Sequence, residues 1–272
     1  MSAQKQVVVS GGFDDLKSRD LRFLEEASKL GELTVLLWPE VTLQKLTGKA
    51  PKFTQAERLY FLNAVRYVSR VVAADGAASF DTLPGNLRPD VWADCETMTS
   101  AARNKFAADN NIAYRVFTAD DLKGFPKPPP MPSAPGKKKI VATGCYDWFH
   151  SGHVRFTEEA STYGDLYVCL GSDANVLLLK GPGHPLLTQE ERRYVVGSIK
   201  YVKQALITTG TGWVDADPEI RRLKPDIYVV NEDGDKGGKR EYCQELGIEY
   251  LVLKRAPAPG LPQRSSTDLR GF

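Results

Sequence analysis

An internal repeat constrains the fold of this chain more than any other feature. Residues 10–37 align with residues 143–170 without a gap, and 13 of the aligned positions are identical, among them Asp14 with Asp147 and Arg22 with Arg155. A repeat of this length sets the architecture before any single element is assigned. The sequence therefore predicts one structural unit that is present twice, with its elements in the same order.

A proline-rich segment separates the two copies. Residues 126–137 hold too many prolines to form a helix or a central strand, so we expect an extended, semi-rigid linker there. This interpretation gives a first domain over residues 1–125 and a second over residues 138–272. A chain of 272 residues is long enough for two such units.

Each copy alternates apolar runs with helical patterns. The apolar runs predict strands at Val7–Val9, Leu33–Leu37, Ile140–Ala142 and Leu166–Leu170, and a further strand is expected at Ile227–Val230. A Thr-x-x-Glu pattern, typical of a helix start, occurs at Thr54 and again at Thr188. Alternating strands and helices predict an α/β fold with two tandem, doubly wound, parallel-sheet domains.

Composition excludes several classes of protein. The 36 basic and 34 acidic residues leave a formal charge of +2, which predicts neither a nucleic-acid surface nor a membrane surface. The four cysteines show no CxxC spacing, so we expect no zinc site and no disulfide framework. With no signal sequence and no apolar run long enough to cross a membrane, the expected location is the cytoplasm.

The turn after the first strand of the second copy is the segment that indicates chemistry. It runs from Gly144 to His153, and a helix should begin near its end. A helix start presents unpaired backbone N–H groups, which favour phosphate, and Gly152 allows a close approach. His150 and His153 are three positions apart, so both imidazoles can donate to phosphate oxygens from one side of the first helical turn.

These residues resemble the cytidylyltransferase-like nucleotidyltransferases, which carry a His-x-Gly-His signature at this place. The likeness extends to the segment from Lys180 to Arg192 and to the Ser-Ser-Thr run near the C-terminus. The sequence of these segments most resembles that of tandem phosphoethanolamine cytidylyltransferases. Lys180 and the residues around it also resemble the transferase domain of ADP-heptose synthases. The resemblance implies a Rossmann-like nucleotidyltransferase fold for each domain.

The resemblance also implies roles for individual residues. Catalysis is expected from His150, His153 and Lys180; nucleotide binding from Gly144, Tyr146, Gly152, Arg192, Asn231, Ser265, Ser266 and Thr267; and acceptor binding from Asp147 and Arg255. Mg²⁺ is the expected cofactor. It should arrive with the nucleotide rather than bind a fixed protein cluster, with Asp147 as the one candidate protein ligand.

The implied reaction transfers CMP from CTP to a small phosphorylated acceptor and releases pyrophosphate. ATP is an open alternative as donor, because the Ser-Ser-Thr run is equally similar to that of some adenylyltransferases. Phosphoethanolamine, glycerol phosphate and a sugar phosphate all stay open as acceptors. A class I aminoacyl-tRNA synthetase fragment is disfavoured by the absence of a basic surface. A non-catalytic nucleotide sensor or scaffold is the alternative of another kind.

The first copy lacks the catalytic residues. Lys17 and Asp20 stand at the positions of His150 and His153, and Asp20 would repel phosphate at close range. Because this copy keeps its helix and core positions, we expect it to serve as a packing partner. The chain would then be an internal pseudo-dimer, and a further homodimer is left open.

Overall fold

The computed structural model describes residues 4–75 and 79–269, apart from the side chains of residues 267 and 268. The chain divides into two compact units, the first ending at Gly124 and the second starting at Phe125. Within the described ranges, every helix is too short or too polar to cross a membrane.

The first unit contains a five-stranded parallel sheet in the order β3-β2-β1-β4-β5. Its strands are β1 (Gln6–Gly11), β2 (Glu32–Leu37), β3 (Arg70–Ala73), β4 (Val91–Cys95) and β5 (Ala113–Phe117). Its helices are α1 (Ser18–Ser28), α2 (Glu40–Thr47), α3 (Gln55–Ala64) and α4 (Ala101–Asp109).

The second unit also contains a five-stranded parallel sheet, in the order β10-β9-β6-β7-β8. Its strands are β6 (Lys139–Gly144), β7 (Asp165–Leu170), β8 (Val202–Ile207), β9 (Ile227–Asn231) and β10 (Glu249–Leu253). Its helices are α5 (Ser151–Ser161), α6 (Asp173–Lys180), α7 (Gln189–Gly197), α8 (Asp217–Leu223), α9 (Lys239–Leu246) and α10 (Ser266–Leu269).

The central strands are buried on both faces. Val7, Val8 and Val9 of β1 are at most 3% exposed, and Ile140 to Ala142 of β6 are fully buried. Successive side chains of a strand point to opposite faces, so both faces of each sheet are covered. The predicted α/β class with two parallel sheets is confirmed. The two sheets share one strand order, while their origin by internal duplication stays a prediction.

The order of the strands places a crevice in the second unit. The chain passes from β6 to β7 and β8 on one side of the sheet and then crosses to β9 and β10 on the other. The chain therefore leaves the carboxyl ends of β6 and β9 in opposite directions, which opens a crevice between these two strand ends. In open parallel sheets, ligands bind at such a switch point.

The proline-rich segment contacts the second unit. The Met131 N–H donates to the Lys203 carbonyl at 3.1 Å, and Ser133 donates to the Asp165 carboxylate. Arg193 Nη2 also donates to the Phe125 carbonyl at 2.8 Å. The segment predicted as a linker thus lies within the second unit and is hydrogen-bonded to the rest of it. The predicted domain limits stay predictions.

Candidate active site

The turn that joins β6 to α5 is shaped around Gly144. The Tyr146 backbone has a φ of 54°, which folds its ring back over the end of the strand. A Cβ on Gly144 would lie 2.8 Å from that ring, closer than two carbon atoms can approach. A glycine at this position therefore lets the buried Tyr146 form one wall of the site.

His150 and His153 are oriented by the backbone of the helix start. His150 is the N-cap of α5, and its Nδ1 accepts from the Gly152 N–H at 3.1 Å. The His150 N–H in turn donates to Nδ1 of His153 at 3.4 Å. An imidazole nitrogen that accepts carries no proton, so in each neutral ring the proton is on Nε2. Both histidines are therefore preset as Nε2–H donors.

The surroundings of His153 keep it neutral. Burial lowers the pKa of His153 well below 6.5, and electrostatic interactions with His150 and with the cations Arg255 and Lys180 lower it further. The ring stacks on Phe149 at 5.2 Å between centroids and lies 4.0 Å from the His150 ring. A neutral imidazole of this kind can donate a hydrogen bond that strengthens as negative charge develops on a phosphate oxygen.

One cleft brings most of the predicted residues together at the switch point. It is lined by Gly144, Tyr146, His150, Gly152, His153, Asn231 and Arg255, all of which the sequence singled out. These residues come from the β6–α5 turn and from the ends of β9 and β10. The structure therefore joins segments that are more than a hundred positions apart in the chain.

Arg255 ties the far wall of the cleft together. Its Nη1 pairs with the Asp233 carboxylate at 2.6 Å, and its Nη2 donates to the Arg264 carbonyl at 2.9 Å. The second contact holds the chain just before the Ser-Ser-Thr run. With a side chain 31% exposed, the guanidinium is held in place and still accessible from the cleft.

Ser265 and Ser266 lie beside the turn but outside the cleft lining. Ser266 begins α10, and its hydroxyl donates to the Trp148 carbonyl at 3.1 Å. The Arg264 carbonyl is 3.5 Å from where a Cβ on Gly152 would be. This run therefore packs against the start of α5, while the side chain of Thr267 lies outside the described residues.

Lys180 is placed at the edge of the site. It is exposed at the last position of α6 and, in the part of the chain that the structure describes, does not line the cleft. Its charge nevertheless contributes to lowering the pKa of His153.

Asp147 has a different position from the one predicted. It is 5% exposed, and its Oδ1 accepts from the backbone N–H groups of Leu186 and Leu187 at 2.6 and 3.0 Å. Asp14 makes the same pair of contacts in the first unit, to Lys52 and Phe53. The geometry gives no support for Asp147 as an acceptor-binding residue or Mg²⁺ ligand, because its Oδ1 holds the loop before α7.

Arg192 likewise does not line the cleft in the part of the chain that the structure describes. It is fully buried, and its guanidinium donates to the carbonyls of Leu187, Cys145 and Gly171 at 2.7–3.1 Å and to Asp173. Arg58 makes equivalent bonds to backbone carbonyls in the first unit. A nucleotide-binding role is therefore unsupported, since these donors are used to hold the turn.

The repeat itself contained a signal for both residues. Asp147 and Arg192 recur as Asp14 and Arg58 in the copy that lacks both histidines. Because these two residues are kept in a copy that has no histidines, the repeat indicates that their role is structural. Sequence reasoning also missed Lys239, which begins α9 and lines the same cleft as Arg255.

In the first unit, an acid replaces the second histidine. The Lys17 N–H donates to Asp20 Oδ2 at 2.8 Å, the counterpart of the bond from His150 to His153. Burial raises the pKa of Asp20. The helix start is thus preserved without imidazole donors, which agrees with the expectation that this copy is silent; the expectation itself stays a prediction.

Fold and cleft together define a Rossmann-like nucleotide-binding protein, and comparison with known proteins narrows the class. The cytidylyltransferase-like family matches residues 141–271. The FAD synthase of Ferroglobus placidus is 37% identical over 120 residues, which is 43% of this chain and 75% of that protein. The chain therefore belongs to the cytidylyltransferase-like family of nucleotidyltransferase enzymes.

Other relatives share only part of their length with this chain. The bifunctional protein HldE of Aliarcobacter butzleri is 34% identical over 122 residues, and the chain spans 24% of that protein. Among solved structures, the lipopolysaccharide core biosynthesis protein of Thermoplasma volcanium aligns with 45% of this chain and 99% of its own at 21% identity. Its TM-score of 0.38 is too low to bear on function.

Proposed function

We propose that the second unit transfers a nucleotidyl group from an NTP to the phosphate of a small acceptor. The observation that supports this most is the pair of backbone-oriented histidines, which direct two Nε2–H donors into one cleft with Arg255 and Lys239. Such a cleft offers positioning and charge stabilisation and needs no protein nucleophile.

In the proposed reaction, an oxygen of the acceptor phosphate attacks the α-phosphorus in line. The bond from that phosphorus to the bridging oxygen breaks, and the electron pair leaves with pyrophosphate. His150 and His153 donate hydrogen bonds to the phosphate oxygens as charge moves toward the leaving group. Lys180 approaches the same phosphates from the end of α6.

Mg²⁺ would be held by the triphosphate, where it would screen the negative charge of the phosphates. Across residues 4–75 and 79–269, no three His, Cys, Asp or Glu side chains are grouped as a metal site. The Asp147 carboxylate accepts from two loop amides, and Asp233 pairs with Arg255. The proposal therefore assigns the ion to phosphate oxygens, and chelation by EDTA should stop turnover.

ATP is the donor we favour. FAD contains an adenylyl group, so similarity to an FAD synthase over three quarters of that protein supports adenylyl transfer. CTP is the second candidate, because the β6–α5 turn and the segment before α7 resemble those of cytidylyltransferases in sequence. The acceptor is proposed only as a small phosphorylated molecule.

Pyrophosphate release tests the proposal. The purified protein is incubated with Mg²⁺, each NTP in turn, and a panel of phosphoethanolamine, glycerol 3-phosphate and sugar phosphates. We expect release that requires both ATP and one acceptor. Release with CTP alone among the nucleotides would reassign the donor, whereas tight nucleotide binding without release would favour the sensor alternative.

A further inference from the structure

The first unit has a switch point of its own. Its strand order is that of the second unit, so the switch point lies at the carboxyl ends of β1 and β4. Residues 89–114 align with residues 225–250 without a gap, and β4 and β5 fall on β9 and β10. Positions that line the cleft of the second unit can therefore be compared one by one with the first.

Three of these positions carry a bulkier or charged side chain in the first unit. They are Arg103 at the position of Lys239, Asp94 at that of Val230 and Trp92 at that of Tyr228. Lys239 and Val230 line the cleft, and Tyr228 lines the cavity that shares Lys239 with it. In the first unit, by contrast, Arg103 and Trp92 are fully buried and Asp94 is 2% exposed.

The guanidinium of Arg103 is enclosed by an acid and three aromatic rings. Its Nη1 pairs with the Asp94 carboxylate, and its Nε donates to the Phe80 carbonyl at 3.0 Å. Its Cζ lies 4.0 Å from the centre of the Phe80 ring and 5.3 and 5.5 Å from those of Trp92 and Trp38. Aromatic faces attract a cation at these distances. The side chain therefore has partners for both its charge and its planar faces.

Asp94 has no equivalent charge in the second unit and depends on Arg103. Its Oδ2 also accepts from the Tyr114 hydroxyl at 2.8 Å, and its Oδ1 accepts from the Cys95 N–H at 3.0 Å. Burial and the bond to Asp94 raise the pKa of Tyr114 to about 12, so the phenol keeps its proton and stays a donor. A buried carboxylate of this kind needs a permanent cation beside it.

Trp38 adds a further ring on the same side. It follows β2 directly, at the position that aligns with Gly171 in the second unit. Its side chain is 1% exposed, and its ring centre lies 5.2 Å from that of Phe80. Where the second unit has a glycine, the first unit thus has an indole packed near Arg103.

We propose that Arg103 occupies the ligand crevice of the first unit, so that this unit binds no nucleotide and each chain takes one. A phosphate placed there would have to displace the guanidinium, and it would leave the Asp94 carboxylate buried without its partner. The missing histidines remove donors for a phosphate, and the arginine with its rings removes the space. A sensor in which both copies bind nucleotide would instead take two per chain.

Nucleotide stoichiometry tests the proposal in the wild-type protein. The α,β-methylene analogues of ATP and CTP, whose P–C–P bridge blocks pyrophosphate release, are titrated with Mg²⁺ by calorimetry. We expect one analogue per chain, and two per chain would overturn the proposal. Failure to bind either analogue is a different outcome, which would count against the proposed function of the second unit.

A variant of the second unit shows where the analogue binds. A Cβ on Gly152 would lie 2.9 Å from the His150 ring, so Gly152→Leu should disturb and fill the cleft beside that histidine. We expect this variant to bind no analogue. Binding that survives in Gly152→Leu would place the nucleotide in the first unit and would overturn the proposal.

Chemical rescue tests whether a guanidinium group fills the crevice. Arg103→Ala leaves Asp94 as a buried charge without a cation, so the melting temperature should fall by about 10 °C or more. The space left behind matches methylguanidinium in size and charge. About 20 mM of this ion should restore about 3 °C or more, whereas sodium chloride at the same concentration should not.

Lys239→Ala is the matched control, because it removes the aligned cation from a half-buried position beside an open cleft. It should lower the melting temperature by less than about 2 °C and gain nothing from methylguanidinium. An unchanged melting temperature in Arg103→Ala, a loss that methylguanidinium does not reduce, or an equal gain in Lys239→Ala would each overturn the role of Arg103. The stoichiometry needs no variant of the first unit, so it decides the question even where Arg103→Ala fails to fold.

Discussion

At the scale of single residues, His153 links the chemistry of the site to the stability of the fold. Burial holds its pKa well below the 6.5 of an unfolded chain. As pH falls below about 6.5, the unfolded state takes up a proton that the folded state does not, so stability is lost with acid. One such proton is worth at most about 1.4 kcal/mol for each pH unit.

We therefore predict that the melting temperature falls between about pH 7.5 and about pH 5.5 and that His153→Asn reduces this fall. Asparagine keeps an oxygen that can accept from the His150 N–H, so the helix start is retained. Thermal unfolding of both proteins at the two pH values measures the difference. Identical pH dependence in the two proteins would show that His153 is protonated equally in both states.

At the scale of elements, one arginine in each unit holds the turn after the first strand. Arg192 and Arg58 donate to backbone carbonyls with almost no exposure to solvent. Removal of either side chain would leave several buried carbonyls without donors. We predict that Arg192→Ala and Arg58→Ala each lower the free energy of unfolding by about 2–4 kcal/mol.

Denaturant unfolding of the two variants checks this prediction. Arg58→Ala serves as the control, because Arg58 makes the same contacts as Arg192 in the unit that is not expected to bind the nucleotide. A structural role predicts similar losses at both positions. If Arg192→Ala instead kept full stability and raised only KM for the NTP, the ligand role expected from the sequence would be restored.

The elements also show how far sequence reasoning reached. Thr54 and Thr188 accept from the N–H groups of Glu57 and Glu191 at 3.3 Å, so both predicted helix starts are confirmed. The expected strand at Ile227 is present as β9. These predictions succeeded because apolar runs and capping residues act locally.

The direction of a side chain was not predictable in the same way. The family resemblance implied ligand roles for Asp147 and Arg192, but only the packed structure shows that their polar side-chain atoms form hydrogen bonds with the backbone. Lys239 was missed because a glycine loop, rather than a motif, brings it to the cleft.

At the scale of the whole molecule, we predict that the first unit serves the second by packing. It keeps the sheet order and the Asp14 and Arg58 contacts while lacking the paired histidines. If the first copy takes the place of a second subunit, as the repeat predicts, a fragment that begins at Phe125 should aggregate or form a new homodimer. Light scattering with an activity assay decides this, and a monomeric, fully active fragment would contradict it.

The central claim is that catalysis depends on the paired histidines of the second unit alone. Transfer of an α-phosphate label from ATP or CTP to the acceptor tests it most directly. His150→Ala and His153→Ala should each lower kcat by roughly 10²–10³-fold, the loss expected for one transition-state donor. Lys17→Ala, at the aligned position in the first unit, should transfer label at the wild-type rate. Near-normal transfer by both histidine variants would contradict the account.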